Sequence, residues 1–255
     1  MILAIINAKG GTAKTTTAVN LAAAFAAKKR KTLLIDLDSQ ASASLSLGIP
    51  RAELDPSIAA AILNGHDLAD VIRSSGIDRL DLVTGSADLV DVDLQLASAK
   101  GRERRLADAI ASVRDRYDFI VLDCPPSLSL VPVNALIAAD AFIVPTPPEY
   151  LALEGLIGLM VAVDRIRAGI GSRCPMFGIL LTKVDRRRRV TDEIIRLIRS
   201  HYGKDVFKTE IKTDVRLIEA PSFGQTIQDY APKSSGAEGY KQLADEIIRR
   251  KGHHE

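Results

Sequence analysis

The chain has 255 residues, 47% hydrophobic and 26% charged, the composition of an ordinary globular chain long enough for one large α/β domain. A net charge of +2 is too small to announce a nucleic-acid partner, so local clustering has to carry that argument. Two cysteines, Cys124 and Cys174, exclude a disulfide framework and suit a reduced cytoplasmic setting, and no apolar run approaches the ~20 residues of a membrane helix.

In chain order, short apolar runs at 2–6, 32–35, 80–83, 119–122, 141–144 and 177–181 predict strands. Most are apolar at consecutive positions, the pattern of strands buried on both faces of a parallel sheet. Helix-length stretches at 15–27, 103–114, 151–167 and 190–201 fall between them. Alternation of this kind predicts an α/β fold with a doubly wound, mostly parallel sheet and helices on both faces. With aromatic residues at only 4% and no Trp, Ala, Val, Ile and Leu must build the core. The stretch 48–87 is richer in Pro, Gly and Asp and reads as an irregular excursion between strands. No linker divides the chain, so residues 1–255 read as a single domain.

Residues 9–16 are Lys-Gly-Gly-Thr-Ala-Lys-Thr-Thr, directly after the first strand and before the first helix. That is the context of a phosphate-binding P-loop. Gly10 and Gly11 let backbone N–H groups of the stretch Lys9, Gly10, Gly11, Thr12, Ala13, Lys14, Thr15 and Thr16 curl around an anion, at the positive end of a helix. Lys14 is placed to reach the β- and γ-phosphates of a nucleotide and the Thr15 hydroxyl to ligate Mg2+. The glycine loop also cuts the apolar start short after seven residues, so it is no signal peptide.

A second lysine, Lys9, sits where an ordinary P-loop needs no cation. It resembles the signature lysine of the deviant Walker A family, which includes ParA, MinD, the nitrogenase iron protein and arsenite-pump ATPases. The resemblance implies an ATP-dependent sandwich homodimer in which Lys9 crosses to the partner's phosphates, acting as an arginine finger does. The family usually has Gly where this chain has Ala13. If that position needs φ > 0, the Cβ costs on the order of 1 kcal/mol. The stretch 33–40 ends in Asp36-Leu-Asp38-Ser39-Gln40 and is similar to the family's second acidic motif, in which Asp38 positions the attacking water, assists at the metal, and Asp36 is structural. Asp123, ending the run 119–122 ahead of Cys124-Pro125-Pro126, resembles Walker B and would hold Mg2+ through water; the prolines would stiffen a switch loop.

Similarity to Soj-like chromosomal ParA proteins extends over the chain: Pro-Pro-Glu-Tyr-Leu-Ala-Leu-Glu-Gly-Leu at 147–156, Asp-Val-Arg-Leu-Ile-Glu-Ala-Pro-Ser-Phe-Gly at 214–224, and a C-terminal helix over 236–247. Reductase-type relatives need spaced cluster cysteines, and MinD-type relatives end in a bulky amphipathic helix, whereas here nothing bulky follows Ile248. The resemblance implies no separate N-terminal DNA-reading domain, no membrane attachment, a cytoplasmic, nucleoid-associated protein, and a ParB-type partner that stimulates a weak ATPase. Arg186, Arg187, Arg188 and Arg189 form a basic run; a solvated face is the ordinary reading of such a run. The matching Soj-like loop carries a DNA-contacting arginine nearest Arg187, and Arg216 matches a second. Contacts to phosphate would make DNA binding sequence-independent. Arg102, Arg104 and Arg105 are read as facing water at a helix start.

Three alternatives stay open. Thr182-Lys183-Val184-Asp185 resembles a guanine-reading motif, and Lys212-Thr213 replaces a proline that Soj-like proteins place beside adenine, so a GTP-using relative competes with ATP; Lys9 and the Glu-Ala-Pro-Ser segment favour ATP. Ala13 leaves a non-hydrolysing scaffold open. A ParA-like protein could also position a cargo other than a chromosome or plasmid.

Overall fold

A computed structural model describes residues 1–171 and 174–252. His253, His254 and Glu255, the end of the tail weighed above, lie outside the described residues. Eight strands form one sheet: β1 Ile2–Ile5, β2 Thr32–Asp36, β3 Arg73–Ile77, β4 Leu80–Val83, β5 Phe119–Asp123, β6 Ala141–Thr146, β7 Met176–Val184 and β8 Val206–Lys212, in the order β3-β4-β2-β5-β1-β6-β7-β8. Among the described strands only β3 runs antiparallel to its neighbour.

The consecutive apolar residues of the central strands are divided between two cores, as the period-2 alternation of a strand requires. Leu3, Ile5, Leu34, Val121 and Ile143 face the helices Lys14–Ala27 and Ser235–Lys251. Ile2, Ala4, Leu33, Ile35, Leu122 and Val144 face the opposite layer, which includes Ile58–Asn64, Arg105–Ala111, Leu130–Ala138, Ala152–Ile170 and Arg189–Tyr202. The alanine-rich first helix lies close on the sheet, and its one ring, Phe25, stacks on Phe119 with centroids 3.9 Å apart. Tyr240 of the last helix reaches Thr17 of the first, hydroxyl to hydroxyl at 3.3 Å.

The doubly wound sheet and its six apolar strands are as expected. Three details differ. The stretch 48–87 is not wholly irregular, because it holds the helices Ile58–Asn64 and Leu68–Val71 and the edge strand β3. The helix expected over 103–114 spans only Arg105–Ala111, flanked by 3-10 turns; the side chain of Asn134 accepts from the Leu106 amide and donates to the Arg102 carbonyl, which fixes the turn before it. The helix after β6 runs on to Ile170 and stops at Gly171, whose φ of 70° makes a left-handed cap. Among the described residues no helix is long and apolar enough to cross a membrane.

β1 lies between β5 and β6, so the chain turns one way from it to reach β2 and the other way to reach β7 and β8. Loops at the carboxyl ends of strands around such a switch point frame the crevice where open α/β sheets bind ligands.

Candidate functional site

The loop leaving β1 folds as a cradle. Gly11 has φ 73°, and a Cβ added at Gly10 or Gly11 would meet nothing within 4 Å. Among the described residues, the glycines therefore border open space. Asn7 braces the loop from below: its amide donates to the Pro145 carbonyl at 2.8 Å, and its Oδ1 accepts from the Lys9 amide at 3.0 Å. Lys14 Nζ folds back to the Lys9 carbonyl at 3.0 Å. Burial lowers the pKa of this ammonium, opposed by Asp123, Cys124 and Asp38. Ala13 has φ 70° and ψ 33°, so the position does adopt the left-handed conformation that glycine favours.

Two carboxylates end neighbouring strands beneath the cradle, paired in register. They are treated differently. Asp36 is saturated, accepting from the Ser44 amide at 2.8 Å, the Ser44 hydroxyl at 2.7 Å and the Asp38 amide at 3.1 Å. Burial raises its pKa to about 6 against those bonds. Asp123 is fully buried, and neither carboxylate oxygen meets a donor in good hydrogen-bond geometry, although the Thr15 hydroxyl lies close enough to favour its charged form. Burial first and Asp36 second push its pKa well above the usual carboxylate range, while nearby Thr15 and Lys14 pull it down. An unpartnered buried carboxylate is costly and calls for a cation. Asp123 and the Thr15 hydroxyl fit a hydrated Mg2+ held also by phosphates, which is how that ion is usually bound. Among the described residues no cluster of His, Cys, Asp and Glu forms an all-protein metal cage.

Asp38 lies on the loop that Asp36 anchors, partly buried, with Oδ1 accepting from the Gln40 amide at 2.9 Å. Ser44 and Gly85, which sequence reasoning did not single out, shape this loop. A Cβ on Gly85 would come within 2.5 Å of the Asp38 carbonyl oxygen. The backbone of one loop crosses the other with no room for a side chain, a constraint that motif spacing does not announce.

A cleft of about 370 Å³ opens beside the cradle, lined by Ala13, Thr16, Pro148, Thr182, Asp185 and Thr213 among others. The Thr182 hydroxyl donates to the Thr12 carbonyl at 3.1 Å, and Lys183 Nζ to the Gly11 carbonyl at 2.7 Å. The Thr-Lys pair thus ties β7 to the phosphate loop. A larger hollow of about 990 Å³ lies at the amino ends of β6, β7 and β8, away from all of these groups.

The cationic candidates sit at the rim. Lys9 Nζ is paired with Glu149 at 2.9 Å, both exposed. Arg187 and Arg216 are built alike: each donates its own amide and Nε to one carboxylate oxygen, and Nη2 to the other, of the aspartate two residues earlier, Asp185 and Asp214. Val184 and Lys212 are register partners on β7 and β8, so the two aspartate–arginine turns leave the sheet side by side. Arg187 is 86% exposed and Arg216 46%. Arg186 differs, bridging Asp192 and Glu210. Arg188 and Arg189 are exposed, Arg188 Nε lying 3.8 Å from Asp185. Arg102 and Arg104 are exposed and Arg105 partly so, with Arg102 closing onto the Ala97 carbonyl.

A family model described as an AAA domain matches residues 1–174. The chromosome partitioning protein ParA of Myxococcus xanthus is 40% identical, the match covering 98% of this chain and 88% of that protein. The chromosome-partitioning ATPase Soj of Thermus thermophilus is 41% identical over 97% of this chain and 95% of its own. In structure, cobyrinic acid a,c-diamide synthase from Mycobacterium smegmatis with bound ADP and magnesium superposes with a TM-score of 0.86 at 28% identity, covering 100% of this chain and 96% of that one.

Proposed function

Since the chain belongs to the ParA and Soj family of P-loop partition ATPases, we propose that it is an ATP-driven switch that dimerises on nucleotide, holds DNA without reading its sequence, and lets go on hydrolysis. The observation that carries this reading is Asp123, fully buried with both carboxylate oxygens unpartnered, beside Thr15 and Lys14 at the mouth of a glycine cradle. Thr15 and Asp123 would hold a Mg2+ ion, which would supply the missing partner of the buried carboxylate and neutralise phosphate charge. The backbone of residues 9–16 receives the phosphates, and Lys14 gives up the Lys9 carbonyl to meet them. Asp38 holds the attacking water, with its loop fixed by the Asp36–Ser44 bonds.

Lys9 leaves Glu149 to reach the phosphates of a second protomer. An exposed pair of this kind is worth at most about 1 kcal/mol, so it does not bar the exchange. Two copies double the basic edge formed by Arg187, Arg188, Arg189 and Arg216, with Arg186 bracing the loop. A monomer neutralises too few phosphates to stay on DNA, so nucleotide gates DNA affinity through dimerisation. A ParB-type partner accelerates hydrolysis and releases the dimer from the nucleoid, moving a chromosome or plasmid.

Size-exclusion chromatography with ATP and Mg2+ tests the division of labour. Lys9→Ala is expected to bind ATP and remain monomeric, whereas Asp38→Ala is expected to dimerise and persist. Two monomeric variants would assign Asp38 to structure and refute its place in hydrolysis.

A further inference from the structure

Thr182, Lys183 and Asp185 sit as a guanine-reading motif would, with the first two strapped to the phosphate loop and the carboxylate on the wall of the adjoining cleft. Guanine presents two neighbouring N–H donors on one edge, which a carboxylate accepts with its two oxygens. Here both oxygens are taken. Oδ1 of Asp185 accepts from the Arg187 amide at 3.2 Å and from Nε at 2.8 Å, and Oδ2 accepts from Nη2 at 2.8 Å. This fork holds the Asp185 carboxyl down at about 2, so it is ionised and engaged.

Nor, among the described residues, does the cleft hold a substitute. The acidic residues along its wall are Glu149, Asp185 and Asp214. Glu149 is paired with Lys9. Asp214 accepts from the Nε and Nη2 of Arg216, from the Ser235 hydroxyl at 2.9 Å and from the Gly236 amide at 3.0 Å. Each carboxylate of the cleft thus already answers a cation of the chain. To read guanine, the protein must trade a bidentate, charge-assisted pair for bonds to neutral donors, and the former are roughly twice as strong. Adenine, which carries a ring acceptor beside its single amino group, asks for no such trade.

We propose that Arg187 is a specificity-determining residue: by occupying both oxygens of Asp185 it withholds the guanine-reading group from the cleft and sets the preference for an adenine nucleotide. The inference rests on the nucleotide reading given above. The fork uses the Nε and Nη2 edge, and Nη1 takes no part in it.

The test is isothermal titration with AMP-PNP and GMP-PNP in Mg2+, on wild type, R187A/R188A and D185A/R187A/R188A. Removing Arg188 as well prevents it from closing the 3.8 Å gap to Asp185. Wild type is expected to prefer AMP-PNP. R187A/R188A is expected to bind GMP-PNP about tenfold more tightly than wild type does, the worth of a good bidentate base contact, with AMP-PNP little changed. Adding D185A should erase that gain. A doubly substituted protein with wild-type base preference, a gain that survives D185A, or a wild type indifferent to the base would each overturn the proposal. Wild type that binds neither analogue would instead sink the nucleotide reading itself.

Discussion

The phosphate loop and the arginine edge lie on either side of one cleft, and they are built by opposite means. At the loop, backbone geometry and burial decide everything: Gly11 and Ala13 take left-handed conformations, Lys14 is buried, and Asp123 is sealed without a partner. At the edge, exposed side chains decide, through ion pairs that Arg187 and Arg216 make with aspartates two residues away. Buried groups in a low dielectric gain or lose several kcal/mol with their partners, whereas exposed pairs are worth about 1 kcal/mol or less unless, as in the two aspartate forks, the geometry is bidentate. The loop therefore holds a single state until ligand arrives, and the exposed outer groups of the edge can take up new partners readily.

The largest effect expected from this contrast is at Lys14. Lys14→Ala removes the buried cation, and nucleotide affinity should fall by about a hundredfold or more, the loss of a charge-assisted contact with its partner left behind. Thermal unfolding without nucleotide should show no loss of stability, because a buried ammonium with a lowered pKa is not stabilising the free protein. Unchanged affinity by titration calorimetry would remove the P-loop assignment and, with it, the contrast.

A smaller effect separates the arginines from one another. Arg216→Glu should lower ATP-dependent affinity for random duplex DNA at least about tenfold, since it reverses a contact that symmetry counts twice, and should flatten the salt dependence by about 0.9 per phosphate lost. Arg186→Glu should do less, because Asp192 and Glu210 already neutralise that guanidinium. A band-shift series at two salt concentrations checks both. Equal losses would mean that Arg186 and Arg216 belong to one undifferentiated basic surface.

How legible each region was in the sequence follows from the same contrast. The cradle could be read because backbone needs constrain residue type: Gly10, Gly11, Lys14 and Thr15 at fixed spacing, and Asp123 ending an apolar strand, all stand where motif and strand pattern placed them. The six expected strands were legible because burial on both faces leaves them continuously apolar. β3 and β8 were not, because edge strands alternate and carry charge, as Val-Phe-Lys-Thr-Glu-Ile-Lys does in β8. The helix Leu130–Ala138 is apolar nearly all round and contains Pro132, so it has neither the stripe nor the composition of a surface helix. The arginine partners could not be foreseen, since nothing in a run of four says which guanidinium meets Asp185 and which meets Glu210. Gly85 and Ser44 escaped notice for a third reason. Their role depends on a short helix and a loop far apart in sequence touching, through the Ser44 hydroxyl that accepts from the Gly85 amide at 3.2 Å.

The smallest expected effect lies where the loop departs from its own rule. Ala13 holds φ 70° although it carries a Cβ, and a non-glycine residue in that region costs roughly 1–2 kcal/mol. Ala13→Gly removes that repulsion, but it also gives the unfolded chain more freedom, which costs about 0.5–1 kcal/mol. The difference lies between about zero and a gain of about 1.5 kcal/mol. For a chain of this size that is a rise in Tm of no more than about 3–6 °C. The hydrogen bond from the Thr17 amide to the residue-13 carbonyl, 2.9 Å long, uses only backbone and survives the change. Scanning calorimetry of wild type and Ala13→Gly without nucleotide reads the sign. A small rise means that the alanine is tolerated under strain in a loop already shaped for phosphate. A fall of several degrees would mean that residue 13 of the free protein lies outside the left-handed region, and that the cradle takes its shape only when a ligand fills it. The phosphate loop would then be as exchangeable as the arginine edge, and the contrast between them would be lost.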